Sequence, residues 1–180
     1  MEQFIGTPLT LWEGERNMKL MEDFGFIDSS GKTWLAPKGS FLNGATIPKP
    51  LWSSVGCPYV GPYRFASIIH DYFVGEGTNP DPISYNERRA ADKMFYEACI
   101  YGGCSKRFAG ILYIGVTIGS WASKSKSILR AYQQKSVENI ETIPEDILIQ
   151  LKFDQAVLEL DPQLDHISFE ELELQVHQII

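Results

Sequence analysis

Cysteine is scarce in this chain, and what little there is does not pair up. Cys57, Cys99 and Cys104 are odd in number and form no C-x-x-C couple. That excludes a disulfide framework and a cysteine-rich structural zinc site, and free thiols in a reducing compartment are the simplest account. Long apolar runs are missing too. The longest candidate, Phe108 to Trp121, is too short to span a bilayer and contains Gly110, Gly115 and Gly119, so it reads as a buried core helix. The N-terminus lacks the basic start of a signal peptide and carries Glu2 early. No basic stripe, aromatic-basic repeat or internal repeat is present. A net charge of −7 gives no general attraction to nucleic acid, so none is expected as a partner.

What is present is enough for a packed core. The chain has 180 residues, 44% of them hydrophobic, which suits one domain plus some extra. Trp12, Trp34, Trp52 and Trp121 are the largest potential core side chains. Charge is unevenly spread. Residues 137–180 hold eleven acidic side chains against Lys152 alone, a net −10, which leaves +3 for residues 1–136. The expected division is therefore a globular domain over 1–136 and an acidic C-terminal extension over 137–180. The extension's alternation of acidic and apolar residues suggests either contact with a partner protein or a solubilising cover for the core.

The periodicities predict an α+β fold. Residues 4–36 contain short apolar and aromatic runs punctuated by turn residues, most clearly Asp28-Ser29-Ser30-Gly31, and read as a small antiparallel sheet or meander. Residues 37–63 are rich in Pro and Gly but also hold Phe41, Ile47, Leu51, Trp52 and Tyr59, so they read as an ordered loop packed on the core. Phe65, Ile68, Ile69 and Tyr72 fall at helical spacing and predict a helix over 63–74, preceded by Pro62 and ended by Gly75 and Gly77. Ser84 and Glu87 have capping-box spacing for a second helix that runs to Tyr101 and stops at Gly102-Gly103. A third helix is predicted over 105–122, with a polar Ser/Lys-rich continuation to 135. Leu148 to Leu160 fits a helix or a strand.

The chemistry-bearing residues concentrate in the helix pair. Adjacent residues on a helix point about 100° apart, so His70 and Asp71 do not simply pair with each other. One can face a substrate or metal while a second group holds the other. Histidine suits acid–base work near neutral pH and needs an acceptor to orient its other nitrogen. Asp92, on the second helix, is the leading candidate for that acceptor. The bland readings are a satisfied core histidine, an Arg88–Asp92 helix pair, and Asp71 bound to Arg64 or Arg88. Asn43-Gly44-Ala45-Thr46-Ile47-Pro48 is a turn in which Gly44 lets the backbone approach a ligand while Asn43 and Thr46 offer hydrogen bonds, unless it only shapes the loop. Arg88 and Arg89 could bind a phosphate or carboxylate, or remain solvated.

The order of these pieces is that of a known family. Gly39-Ser40-Phe41, the Asn43 to Pro48 turn, Trp52, Gly56-Cys57-Pro58, Ile69-His70-Asp71-Tyr72, Arg88-Arg89-Ala90-Ala91-Asp92 with Phe95, and Tyr113 with Gly119 together resemble the phage- and prophage-associated domain of unknown function numbered 1353. The resemblance covers Phe24 to Trp121. It implies a viral or prophage origin, and with it a place in the infected host's cytoplasm or in the virion and a phage or host protein as partner for residues 137–180. The family commonly has Thr-Asp before Gly-Ala, where this chain has Leu42-Asn43. A looser resemblance joins the helix pair to the catalytic helices of small bacterial secreted phospholipases A2, without their paired disulfides. That resemblance implies His70 as base, Asp92 as its orienter, and Asp71 as ligand to a divalent cation, calcium rather than zinc. Asn43 and Gly44 would supply further oxygens, with Thr46, Tyr72, Arg88 and Arg89 in support. The expected function is a phage-encoded hydrolase of an ester or amide of the host envelope. The alternative is a non-catalytic accessory, assembly or host-defence-inhibiting protein whose His–Asp cluster is structural.

Overall fold

The computed structural model describes residues 3–14, 17–42, 47–56, 60–74, 83–133 and 144–180, with side chains in the long fourth helix described as far as 124. The fold is α+β. Six short strands come first: β1 (Phe4–Ile5), β2 (Thr10–Gly14), β3 (Asn17–Leu20), β4 (Phe24–Ile27), β5 (Thr33–Ala36) and β6 (Phe41–Leu42). They form two three-stranded antiparallel sheets, ordered β1-β4-β5 and β2-β3-β6, where the sequence had suggested one.

Period-two alternation sets which side of each strand goes inward. Phe24 and Phe26 on β4 and Trp34 and Ala36 on β5 are buried, while Leu35 is exposed. In the second sheet Met18, Leu20 and Leu42 are buried, and Lys19 pairs with Phe41 on the outer face. Asp28 closes the β4–β5 hairpin. Its carboxylate accepts hydrogen bonds from the Ser30 and Lys32 amides and from the Trp34 indole at 2.8–3.0 Å.

A 3₁₀ turn (Lys49–Leu51) and a single-turn helix α1 (Trp52–Val55) lead into the helical unit. Helix α2 spans Arg64–Val74 and α3 spans Tyr85–Tyr101. The predicted capping box is present: Ser84 Oγ accepts from the Glu87 amide at 3.2 Å, and the Glu87 carboxylate accepts from the Ser84 amide at 2.8 Å. Helix α2 runs antiparallel to α3, since Val74 meets Arg88, His70 meets Asp92, and Gly102 lies against Pro62.

Helix α4 spans Lys106–Gln133, one continuous helix that takes in the polar segment expected to begin helical after residue 122. The segment 121–133 contains neither Gly nor Pro, and Ser and Lys do not terminate a helix that is already propagating. Helices α5 (Glu145–Leu160) and α6 (Phe169–Ile179) follow, the first settling the helix-or-strand alternative. Ile149, Phe153, Ala156, Leu160, Leu172 and Val176 from these helices join the same buried cluster as the sheets and α2–α4. Of the four tryptophans only Trp34 is fully buried, and Trp12 is 55% exposed. Among the described residues no helix is long and apolar enough to cross a membrane.

Candidate functional site

Helix α2 is unusual in what it buries. Of the four residues at helical spacing, Ile69 is fully buried, while Phe65, Ile68 and Tyr72 are half-buried against the core. The most enclosed residues are Ala66, Ser67, Ile69, His70, Asp71 and Val74. A helix with two polar and one charged residue on its buried side needs partners for each. Ser67 donates from its hydroxyl to the Tyr63 carbonyl, one turn back, at 3.1 Å.

His70 is 0% exposed, and its Nε2 lies 2.7 Å from Asp92 Oδ1. An ionised carboxylate only accepts hydrogen bonds, so Nε2 is the nitrogen that carries the proton. Asp92 is 1% exposed, and its second oxygen, Oδ2, accepts from the Ser120 hydroxyl of α4 at 3.1 Å. The Phe95 ring, one turn along α3 from Asp92, closes over the imidazole at 4.9 Å between centroids. Three helices thus each place one polar group at a single buried point. Ser120 was not anticipated from the sequence, although a hydroxyl between Gly119 and Trp121 in an apolar helix is a signal of the same kind as His70.

Asp71 faces elsewhere. It is 1% exposed and lines a cleft of about 320 Å³ between α2 and the β2-β3-β6 sheet. Leu9, Trp12, Met18, Leu42, Phe65 and Ile68 make the apolar part of the lining, and Thr10, Arg64 and Ser67 join Asp71 as its polar part. His70 is not part of this lining. The adjacent pair is therefore divided as helix geometry requires, the imidazole into the helix interface and the carboxylate toward the cleft.

The arginines have structural partners. Arg88 donates from Nη2 to the Val74 carbonyl at 3.1 Å, capping the C-terminus of α2. It does not form the helix pair with Asp92 that its spacing suggested. Arg89 donates from Nε and Nη2 to Glu173 of α6 at 3.3 and 2.9 Å, and the carboxylate raises the guanidinium's affinity for its proton further. Tyr72 packs edge-on against Phe73 at 5.0 Å. Asn43, Gly44 and Thr46 lie outside the described residues. Just beyond them, the Trp52 indole N–H donates to the Ile47 carbonyl at 2.9 Å. Among the described residues no three His, Cys, Asp or Glu side chains converge to hold a metal ion. Asp92 already serves His70 and Ser120, which leaves Asp71 as the acid of this cluster that lines the cleft.

Comparison with known proteins places this arrangement in context. The family described as "Protein of unknown function (DUF1353)" matches residues 18–116, which include α2, α3 and the first part of α4. Two curated relatives come from Sinorhizobium fredii. "Uncharacterized protein y4iH" is 30% identical over 104 residues, covering 57% of this chain and 41% of the relative. "Uncharacterized protein y4jT" is 47% identical over 55 residues, covering 31% of this chain and 16% of the relative. The chain thus spans less than half the length of either. No solved structure matches it.

Proposed function

Since the chain belongs to the DUF1353 family, which is defined without a function, we propose from its own geometry that it is a small-ligand-binding domain. The ligand enters the cleft beside the β2-β3-β6 sheet, and the Asp71 carboxylate is its polar anchor. The observation that carries this reading is the division of the His70-Asp71 pair. Asp71 lines the cleft, whereas His70 is wholly enclosed and locked to Asp92, which in turn accepts from Ser120. In this reading the buried cluster fixes α2 against α3 and α4 so that Asp71 is presented at a constant angle. A cleft of about 320 Å³ with an apolar wall and few polar groups suits a compact ligand carrying a cationic or hydrogen-bond-donating head. A carboxylate has about four acceptor sites, so a ligand can share Asp71 with its protein contacts. A phage or prophage setting, as accessory protein or host-defence inhibitor, belongs to the proposal and rests on the family resemblance.

One observation favours a second reading. The 2.7 Å contact between Asp92 and His70 Nε2 is the kind of carboxylate contact that orients a general base. In that reading the domain is an ester or amide hydrolase, and Asp71 binds substrate or contributes to a divalent-cation site. The described residues alone do not complete such a site, so the cation carries no step of the mechanism.

The test is a thermal-shift and calorimetric screen of small amines, guanidines and calcium. Wild type and Asp71→Asn are compared, with an ester and amide turnover screen in parallel on wild type and His70→Gln. Stabilisation by an amine or guanidine that disappears in a folded Asp71→Asn protein supports the binding reading. Turnover that disappears in a folded His70→Gln protein replaces it with the hydrolase.

A further inference from the structure

The turn between α3 and α4 brings two thiols together, and it does so through backbone geometry. Gly103 has φ +103° and donates its N–H to the Ile100 carbonyl at 3.0 Å. The Cys104 amide donates to the Cys99 carbonyl, also at 3.0 Å. These are the two hydrogen bonds of a Schellman turn, in which the second residue after the cap packs against the third-from-last residue of the helix. Those two positions are Cys104 and Cys99. The turn itself is tightly held, because a Cβ on Gly102 would stand 2.6 Å from the Pro62 carbonyl oxygen.

Both cysteines are free and their side chains are hydrogen-bonded to each other. Their surroundings differ. Cys99 is 0% exposed at the C-terminal, electronegative end of α3, and burial pushes its thiol well up. Cys104 is 7% exposed and immediately precedes the start of α4, where Ser105 Oγ accepts from the Phe108 amide at 3.2 Å. Ser105 separates it from the positive end of the 28-residue α4 helix. The hydrogen bond from Cys99 outweighs burial and draws the Cys104 thiol below its ordinary value. One sulfur is thus disposed to be the nucleophile and the other to wait as a neutral thiol.

We propose that Cys99 and Cys104 form a redox-active dithiol, independent of the cleft, that a hydroperoxide converts to an intramolecular disulfide. The Cys104 thiolate attacks the terminal peroxide oxygen and the O–O bond breaks. The departing alkoxide, or hydroxide, takes up a proton, leaving a sulfenic acid on Cys104. The Cys99 thiol then releases its proton and attacks the Cys104 sulfur. An S–S bond forms, the S–O bond breaks, and hydroxide leaves with that proton as water. Two thiols give up two electrons, and one peroxide becomes one alcohol, or water, plus one water. The sulfurs have only to close from hydrogen-bond contact to about 2 Å.

The experiment uses the reduced full-length chain exposed to hydrogen peroxide at neutral pH, then alkylation and peptide mass spectrometry. The expected product joins Cys99 to Cys104, two mass units lighter than the dithiol, refractory to alkylation, restored by dithiothreitol, and formed equally in Cys57→Ser. In Cys99→Ser, dimedone should label residue 104 at least tenfold more than it labels residue 99 in Cys104→Ser. Two results would overturn the proposal. One is that both thiols remain alkylatable under peroxide that fully oxidises free glutathione. The other is that the disulfide formed joins either of them to Cys57.

Discussion

Removing the Asp92 carboxylate tests the buried cluster most directly. Asp92→Ala leaves the His70 Nε2–H and the Ser120 hydroxyl facing a space with no acceptor, at a point where His70 and Asp92 are at most 1% exposed. Each unsatisfied buried donor costs about 1–3 kcal/mol, so the two together cost about 2–6 kcal/mol. For a chain of this size each kcal/mol is worth about 2–4 °C, so a fall of about 4–24 °C in Tm is expected. Urea unfolding followed by circular dichroism at pH 7 gives the free energy, and a thermal melt checks it. The diagnostic comparison is the triple variant His70→Leu, Asp92→Ala, Ser120→Ala, which removes every polar member together. With nothing left unsatisfied, it should be more stable than Asp92→Ala alone. A single variant that loses less than about 1 kcal/mol, or a triple variant whose losses simply add, would refute the claim that the three groups act as one network.

Glycines in the helical unit should respond oppositely to alanine. Gly102→Ala places a methyl 2.6 Å from the Pro62 carbonyl oxygen and should cost about 1–3 kcal/mol, whereas Gly115→Ala meets Ile47 at an ordinary 3.6 Å and should raise helix stability by up to about 1 kcal/mol, both read from thermal melts. Asp28 predicts an acid dependence. Burial pushes its carboxyl up, but hydrogen bonds from Ser30, Trp34 and Lys32 outweigh that and hold it below its ordinary value. Its stabilising effect is therefore complete above about pH 4 and lost as pH falls through the lowered value. The stability difference between wild type and Asp28→Asn, measured in urea, should shrink steadily from pH 5 to pH 2. A difference constant across that range would sink the assignment.

Several elements were legible because their signals are local. Ser84 and Glu87 mark the start of α3 three residues apart, and Gly102-Gly103 marks its end, as a cap and a Schellman turn require. The facing of His70 and Asp92 could be anticipated once two helices joined by a loop were placed antiparallel. The cleft could not. It is made by residues from β2, β3 and β6 meeting α2, and sheet pairing over such distances leaves little trace in short strands. The inner face of α2 is only partly legible for a related reason: Ile69 goes inward as its spacing predicts, while Phe65, Ile68 and Tyr72 stay half-buried. Counting apolar residues weights Phe65, Ile68 and Tyr72, yet a helix packed on two sides buries whatever lies between, including Ser67, His70 and Asp71. Trp12 was read as core for its size, but β2 turns it to the cleft's outer wall. The capping box Ser168–Glu171 of α6 is also a local signal, but the mixing of acidic and apolar residues over Phe169–Ile180 hides the helical period, which emerges from the burial of Leu172 and Val176 four residues apart.

The acidic extension shows how charge and apolar burial divide their work. Among the described residues three ion pairs cross between it and the preceding helices: Arg89 with Glu173 at 2.9 Å, Arg107 with Asp161 at 2.7 Å, and Lys93 with Glu170 at 3.9 Å. In each the cation lies on α3 or α4 and the acid on the extension, so the +3 and −10 halves of the chain meet along this seam. Exposed pairs of this kind contribute about 0–1 kcal/mol each, whereas fully burying one large apolar side chain contributes about 1.5–3 kcal/mol. Phe153, Leu160, Leu164, Leu172 and Val176 are all buried, so apolar contact holds the extension down and the ion pairs select the face on which it docks. That face belongs to the family-matched segment. Gly110 is shaped to Leu164, whose Cδ2 would stand only 2.9 Å from a Cβ there, and Tyr96 and Tyr113 pack on Phe169 at 5.1 and 5.0 Å. The absence of a side chain at Gly110 therefore has its reason outside the matched residues, in a leucine more than fifty positions later.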